Sequence, residues 1–378
     1  MDGAVMGEKK GLAVIYDPHN LYQFLWYYCN RGAGRKWDAL CLPNGSKGEY
    51  MHSFCESAGV FDRIITSDNN FDALPALKKV SMVFGMFFHF ITGRRAAYCR
   101  KMLNRYVVLD DYDELVVIAD VGIVSGACVA LGKEKDVIIL EDGISDYGKR
   151  PKFIGREKFF SLYSWQGYFL SLMGYCSPGW FYLRTDRNCI KYCSQPDKMQ
   201  YTGYRETRQL YEEEGTDWTQ FRQILSTVYP KLNSFDFDHV DTVLLTRPLG
   251  DYVSSPEKYN KRIEQYVTEN CGVLLIKKHP REQIAYEFGP NVSCTEIDSS
   301  VPAEALLPYL KGKDILIVTT SAVMLYLKAH GLKCKMILLD GLYEESLTSN
   351  SMFRALSMKA AQEFGERYCS DCFETVVL

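Results

Sequence analysis

The chain has 378 residues, of which 47% are hydrophobic and 24% are charged, and its formal net charge is −3. This length exceeds what one hydrophobic core usually serves, so the sequence predicts two domains and excludes a small module held together by disulfides. The 44 basic and 47 acidic side chains leave no overall positive field, so a protein that works mainly by neutralising nucleic-acid phosphates is not expected.

The N-terminal part of the chain alternates short apolar runs with helical patterns. Predicted strands occupy residues 12–16, 37–42, 63–66, 114–119 and 136–140, and predicted helices occupy residues 21–29 and 122–131. Strands that alternate with helices indicate a parallel sheet with crossover helices. Between about residues 148 and 238 the alternation fades into an aromatic and charged region.

The alternation restarts near residue 235. Predicted strands occupy residues 242–246, 273–277, 314–319 and 335–339, and helical patterns occupy residues 256–269, 302–310, 322–330 and 344–364. The predicted fold class is therefore α/β, with two doubly wound Rossmann-like domains that face each other across a cleft. We predict an N-terminal domain over residues 1–235, a C-terminal domain over residues 236–345, and a helical tail over residues 346–378 that packs back on the first domain.

The sequence also indicates a cellular compartment. The 13 cysteines show no framework spacing, which is typical of reduced thiols. Residues 1–11 hold no apolar core of signal-peptide length, and polar or small residues interrupt the longest near-apolar run, residues 80–91. We therefore predict a cytoplasmic protein that is at most peripheral to a membrane.

Several common motifs are absent from the sequence. Gly126, Gly132 and Lys133 lack the spacing of a phosphate loop, and no GxGxxG follows the first predicted strand. The CxxC at Cys369 and Cys372 has no nearby histidine to complete a zinc site. The sequence therefore predicts no metal site and no standard dinucleotide site.

Acidic residues follow the predicted strand over residues 136–140. Glu141, Asp142 and Gly143 come directly after it, which places at least one carboxylate at the carboxyl end of the strand. Partial burial there can raise the pKa of a carboxylate toward the range of a general base. The alternative is a turn in which the acids cap a helix.

Basic residues follow the predicted strand over residues 273–277. Lys277 ends the run, and His279 and Pro280 come next. Proline cannot continue a central strand and keeps the preceding residue extended, so the imidazole is expected at a defined exit from the sheet. Such a histidine can bind or protonate a phosphate; the alternative is a histidine in a surface loop.

Hydroxyl residues follow the predicted strand over residues 314–319. Thr320 and Ser321 precede a predicted helix, where hydroxyls and free N–H groups can bind an anion or cap the helix. Upstream, Glu304 either caps a helix or accepts hydrogen bonds from a ribose or base. A carboxylate base in one domain and phosphate-binding groups in the other suit transfer from a nucleotide donor to a hydroxyl acceptor.

In this order the motifs resemble those of bacterial sialyltransferases of the lipooligosaccharide and polysialic-acid capsule type. That family carries a [DE]-[DE]-G motif, a later His-Pro motif and a Ser/Thr pair, which correspond to residues 141–143, 279–280 and 320–321. Pro302 and Glu304 also match the family's pattern. The resemblance implies the GT-B fold and an inverting, metal-independent transferase that needs no cofactor and uses CMP-sialic acid as donor.

The resemblance also implies roles for individual residues. Asp142 would be the general base that deprotonates the acceptor, and His279 the general acid or hydrogen-bond donor to the departing phosphate. Residues implied in donor binding are Glu141, Gly143, Thr246, Arg247, Pro248, Lys277, Pro280, Glu304, Thr320 and Ser321. Among these, the hydroxyl pair would hold the phosphate, Glu304 would contact the cytidine, and residues 246–248 would close over the donor.

The implied partners are a CMP-sugar and an oligosaccharide or glycolipid acceptor that ends in galactose or sialic acid on a bacterial surface glycan, with no nucleic acid. Membrane association would be at most peripheral, at the inner face of the plasma membrane. The alternatives are transfer of Kdo or another nonulosonic acid from a CMP donor, a GT-B enzyme that uses a UDP- or GDP-sugar, and a non-catalytic α/β scaffold.

Overall fold

The structure is a computed structural model that describes part of the chain. The described residues are 10–42, 48–66, 88, 92, 94–118, 123–143, 147, 188–199, 203–210, 218–319, 322–327, 330–348, 358–359, 362–363, 365–367 and 370–378. The chain divides into two compact units. The first ends at Val228 and the second runs from Tyr229 to Leu378, with Gly143–Gly148 and Glu212–Glu214 grouped with the second.

The first unit contains a seven-stranded parallel sheet. Its strands are β1 (Lys10–Ile15), β2 (Lys36–Cys41), β3 (Arg63–Thr66), β4 (Glu114–Ile118), β5 (Asp136–Leu140), β6 (Ile190–Cys193) and β7 (Glu206–Gln209). They lie in the order β3-β2-β1-β4-β5-β6-β7, and every neighbouring pair is parallel. The order reverses between β1 and β4, as it does in a doubly wound sheet.

Helices of the first unit cover this sheet with aromatic side chains. They are α1 (Pro18–Tyr27), α2 (Gly48–Ala58), α3 (Arg95–Leu103), α4 (Ile123–Ala130) and α5 (Trp218–Val228). Helix α1 begins at Pro18 because the Asp17 carboxylate accepts a hydrogen bond from the Asn20 N–H (2.9 Å). Trp26 joins α1 to α5, since its ring meets that of Phe221 edge-on with centroids 4.7 Å apart.

The second unit contains a six-stranded parallel sheet. Its strands are β8 (Thr242–Leu245), β9 (Val273–Lys277), β10 (Ser293–Ile297), β11 (Asp314–Val318), β12 (Cys334–Leu338) and β13 (Phe373–Val377), and its helices are α6 (Glu257–Asn270) and α7 (Leu342–Thr348). The order is β10-β9-β8-β11-β12-β13, again with parallel neighbours. Here the order reverses between β8 and β11, which places the exits of these strands at the usual ligand-binding edge.

The two sheets confirm the predicted α/β class with two doubly wound Rossmann-like units. Three details differ from the sequence-based expectations. Strands β6 and β7 and helix α5 lie in the region where the apolar alternation fades, because short strands and exposed edge positions carry a weak periodic signal. The helix expected over residues 322–330 is a 3-10 helix, Ala322–Leu325, in its described part.

The third difference concerns the tail expected over residues 346–378. Residues 373–377 are not helical but form β13, which pairs in parallel with β12. The pairing satisfies the backbone groups along that edge of the second sheet. Within the described part of the chain, no helix has both the length and the apolar character needed to cross a membrane.

Candidate active site

Residues 141–143 form an acidic turn directly after β5. The Glu141 side chain is fully buried, whereas Asp142 is exposed. Gly143 follows with φ of 122°, a backbone conformation that strains any residue with a Cβ. The turn therefore faces its two carboxylates in opposite directions, with Glu141 directed into the unit and Asp142 toward solvent.

Hydrogen bonds to the end of β6 explain why Glu141 is buried. Its Oε2 accepts from the Ser194 N–H (2.5 Å) and from the Ser194 hydroxyl (2.7 Å). The Ser194 carbonyl in turn accepts from the Gln209 side-chain amide (2.7 Å). Because β5, β6 and β7 are neighbours, these contacts tie three strand ends together and fix the backbone that carries Asp142.

A buried lysine lies on the strand beside the acidic turn. Lys191 in β6 is fully buried, and its ammonium donates to the Leu140 carbonyl at 2.9 Å. Sequence analysis missed this residue because it missed β6. The signal available was a lysine within the apolar run IKYC, which is unusual because lysine is rarely buried without a partner.

Residues 277–281 form a basic segment that leaves β9 beside the end of β8. The Thr246 N–H donates to the Lys277 carbonyl (3.1 Å), and the Thr246 hydroxyl accepts from the His279 N–H (3.2 Å). Thr246 is buried, so its hydroxyl serves to hold the backbone of the basic segment. These two bonds bring the predicted residues 246, 277 and 279 together.

His279 is half-buried and uncharged at neutral pH. Burial and, to a smaller extent, the nearby charges of Arg247, Arg281 and Lys277 lower its pKa to about 4, although the Asp251 carboxylate opposes the shift. The ring Nδ1 accepts from the Arg281 N–H (3.2 Å). In the neutral ring the proton must therefore be on Nε2, which leaves His279 as a neutral hydrogen-bond donor.

Lys277 is a buried cation with backbone partners. Its ammonium donates to the Lys278 carbonyl (2.5 Å) and the Ser299 carbonyl (3.5 Å). Burial lowers its pKa to about 8, and the charges of Glu304, Asp298 and Glu296 oppose that shift. Glu304 is also buried and lies in the 3-10 helix Ala303–Tyr309. The buried charges of Lys277 and Glu304 thus lie close enough to interact electrostatically.

The remaining predicted residues after β8 are Arg247 and Pro248. The Arg247 guanidinium donates to the Tyr252 hydroxyl (3.0 Å) and lies 5.9 Å from the centre of that ring. Pro248 is buried and begins a tight turn, since its carbonyl accepts from the Asp251 N–H (2.8 Å). Asp251 also pairs with Arg281 (2.7 Å). Pro280 is exposed beside this ion pair.

Thr320 and Ser321 lie outside the described residues, but the preceding residue is informative. Thr319 directly follows β11 and has φ of 59°, in the left-handed region that a β-branched residue rarely adopts. Its side chain is buried, and its hydroxyl has no hydrogen-bond partner within the described part of the chain. The helix that follows is a single 3-10 turn, so no long helix dipole supports an anion site there.

The described residues contain no group of three or more His, Cys, Asp or Glu side chains arranged to hold a metal ion. The acidic turn offers a presented carboxylate. The basic segment offers a neutral N–H donor among cations. A carboxylate of the first kind can remove a proton from a hydroxyl, and a donor of the second kind can form a hydrogen bond to a phosphate.

Comparison with solved structures returns several matches at low sequence identity. One is the glycosyltransferase SnogD from Streptomyces nogalater, at 13% identity and TM-score 0.45, covering 95% of this chain and 94% of that chain. A second is the UDP-GlcNAc 2-epimerase from Methanocaldococcus jannaschii, at 13% identity and TM-score 0.49, covering 98% and 89%. A third is MurG from Acinetobacter baumannii, at 10% identity and TM-score 0.44, covering 98% and 85%. A search of curated protein sequences finds no match.

Comparison with protein families is more specific. Residues 98–337, more than half of the chain, match the alpha-2,8-polysialyltransferase family. The acidic turn, the basic segment and residues 320–321 all lie within the matched stretch. The resemblance to bacterial sialyltransferases of the polysialic-acid type is therefore confirmed, and the chain belongs to the alpha-2,8-polysialyltransferase family of glycosyltransferases.

Proposed function

We propose that the protein transfers sialic acid from CMP-sialic acid to a hydroxyl of a terminal galactose or sialic acid on a bacterial surface glycan, with inversion at the anomeric carbon. The family name, which specifies a 2,8 linkage between sialic acids, favours a terminal sialic acid as acceptor. The observation that carries the proposal is the acidic turn, where a buried, hydrogen-bonded Glu141 anchors an exposed Asp142.

Asp142 is the general base in this proposal. Its carboxylate accepts the proton of the acceptor hydroxyl while the hydroxyl oxygen forms a bond to the anomeric carbon of the donor. The bond from that carbon to the phosphate oxygen breaks, and CMP departs with the electron pair. Because the nucleophile enters opposite the leaving group, the anomeric configuration inverts. A positioned carboxylate contributes about 10²- to 10⁴-fold to such a step.

The groups after β8 and β9 act on the leaving group. His279 donates its Nε2–H to the departing phosphate as a neutral hydrogen-bond donor. Proton transfer is not required, because a phosphate monoester has a second pKa of about 6 and leaves ionised at neutral pH. Arg247 and Lys277 supply positive charge, and residues 246–248 close over the donor. CMP carries one phosphate, which leaves less charge to neutralise than a diphosphate, so no metal or cofactor is invoked.

The other predicted donor contacts complete the site. Thr320 and Ser321 hold the phosphate through their hydroxyls, and Glu304 contacts the cytidine. The acceptor is an oligosaccharide or glycolipid, and the protein acts in the cytoplasm, at most peripherally at the inner face of the plasma membrane. Nucleic acid is not a partner, in keeping with the net charge of −3.

A donor assay in the presence of a chelator tests this function. Purified protein is incubated with CMP-sialic acid and a panel of sialosides and galactosides, and CMP release and glycan mass are measured. We expect acceptor-dependent CMP release that EDTA leaves unchanged. Parallel reactions use CMP-Kdo, a UDP-sugar and a GDP-sugar. Turnover with one of these in place of CMP-sialic acid would reassign the donor, and lack of turnover with all of them would refute an enzymatic role.

A further inference from the structure

Lys191 is fully buried, which is rare for a lysine side chain. The residue lies in β6 with no exposed surface, and its ammonium donates to the Leu140 carbonyl at 2.9 Å. Burial of an ammonium group is unfavourable unless hydrogen bonds and opposite charges compensate for the lost water. An apolar side chain of similar size would fill the same space without that penalty, so the location of this charge needs a separate explanation.

The ammonium contacts the peptide group that leads into the acidic turn. The Leu140 carbonyl belongs to the peptide that joins Leu140 to Glu141, immediately before Asp142. The same short strand also contacts the turn through Ser194, which donates twice to the Glu141 carboxylate. Lys191 in β6 therefore holds the backbone that precedes Asp142, and Ser194, directly after β6, holds the Glu141 side chain.

The first sheet itself holds β6 in place. Leu140 pairs with Tyr192 in the register of β5 and β6, and Cys193 pairs with Gln209 in the register of β6 and β7. The Ser194 carbonyl accepts from the Gln209 side chain. Because β6 is paired with a strand on both sides, the backbone that carries Lys191 and Ser194 is held in place.

We propose that Lys191 is a positioning residue for glycosyl transfer, which holds the acidic turn through the Leu140 carbonyl so that Asp142 is presented to the acceptor hydroxyl. This inference rests on the proposed role of Asp142 as general base. Lys191 does not touch substrate in this scheme and acts through the turn alone.

The test compares Lys191→Met and Lys191→Arg with the parent enzyme. Methionine keeps the length of the side chain without the charge, and arginine keeps the charge. We expect Lys191→Met to lower kcat by about 10-fold or more, with KM for donor and acceptor within about 2-fold of the parent. Lys191→Arg should recover most of the lost kcat, because its guanidinium can still donate a hydrogen bond to the Leu140 carbonyl.

Lys135→Met is the matched control. Lys135 also donates its ammonium to a backbone carbonyl, that of Tyr112 at 2.5 Å, but it precedes β5 and lies at the opposite end of that strand from the acidic turn. The control should leave both kcat and KM within about 2-fold of the parent. An equal loss in both variants would show that Lys191 is merely structural and would overturn the proposal.

Ser194→Ala decides the matter if Lys191→Met does not fold. That substitution removes the hydroxyl donor to Glu141 and keeps the backbone donor. We expect it to lower kcat about 3-fold or more at unchanged KM, and unchanged kcat would overturn the proposal. Asp142→Asn separates the two inferences. Full activity of Asp142→Asn would refute the proposed role of Asp142 as general base. An inactive Asp142→Asn together with a fully active Lys191→Met would refute only the role of Lys191.

Discussion

The acidic turn after β5 and the basic segment after β9 use the same construction with opposite charges. In each, a buried charged residue is hydrogen-bonded to the backbone of a neighbouring strand exit: Glu141 accepts from Ser194, and Lys277 donates to the Ser299 carbonyl. A second titratable residue follows one or two positions later, at the exit itself. The anchor determines where the second residue lies, and the surroundings determine its charge.

The two presented residues differ in their contact with water. Asp142 is exposed to solvent. His279 is half-buried, and burial together with the charges of Arg247, Arg281 and Lys277 keeps it neutral. The proposed proton acceptor and the proposed neutral hydrogen-bond donor therefore lie in different surroundings.

The largest expected effect comes from Asp142→Asn. Loss of the proton acceptor should lower kcat by about 10²- to 10⁴-fold, while the thermal midpoint stays close to the parent because the side chain is exposed. Asp136→Asn is the control, since Asp136 is an exposed aspartate at the opposite end of β5. Comparable turnover of the two variants would end the argument for a base in the acidic turn.

The anchor of the acidic turn should matter to stability. Glu141→Ala leaves the buried Ser194 N–H and hydroxyl without their acceptor, so the free energy of unfolding should fall by about 3 kcal/mol. Urea denaturation measures it. Glu206→Ala on the edge strand β7 serves as control, because its partner Arg208 is also exposed. A midpoint unchanged in both variants would mean that Glu141 does not anchor the turn.

The basic segment should show its effect as a pH dependence. His279 has a folded-state pKa of about 4, below its ordinary value of about 6.5, so protons bind the unfolded state more readily. Its neutral form therefore contributes fully to stability above pH ~6.5, and that contribution is lost as the pH falls toward 4. Thermal midpoints measured across this range should fall less steeply for His279→Gln. Parallel curves would contradict the shifted pKa.

The smallest expected effect concerns strand exits with positive φ. The acidic turn has a glycine at such a position, Gly143, whereas Thr319, directly after β11, has φ of 59°. Thr319→Gly should raise the free energy of unfolding by about 1 kcal/mol, because it relieves a left-handed β-branched residue and removes an unpaired buried hydroxyl. The same change in strand β10, Thr295→Gly, should instead destabilise the protein. Destabilisation by Thr319→Gly would show that the threonine is not strained.

Much of the fold was predictable because buried parallel strands correspond to continuous runs of apolar residues in the sequence. Strands β3, β5 and β9 lie at the predicted residues, since their runs end at polar residues or turn formers. Strands β6, β7, β10 and β13 were not predicted. Two of these, β7 and β10, are largely exposed, and β13 pairs with β12 across a long sequence separation that local patterns do not encode.

The sequence by itself determined the parallel α/β class and the strand exits that carry Glu141, Asp142 and His279, because apolar runs and the polar residues after them are local features. Only the tertiary structure decided which side chains at those exits are anchors and which are presented. That distinction depends on burial and on partners distant in sequence: Ser194 for Glu141, Ser299 for Lys277, and the cations that keep His279 neutral.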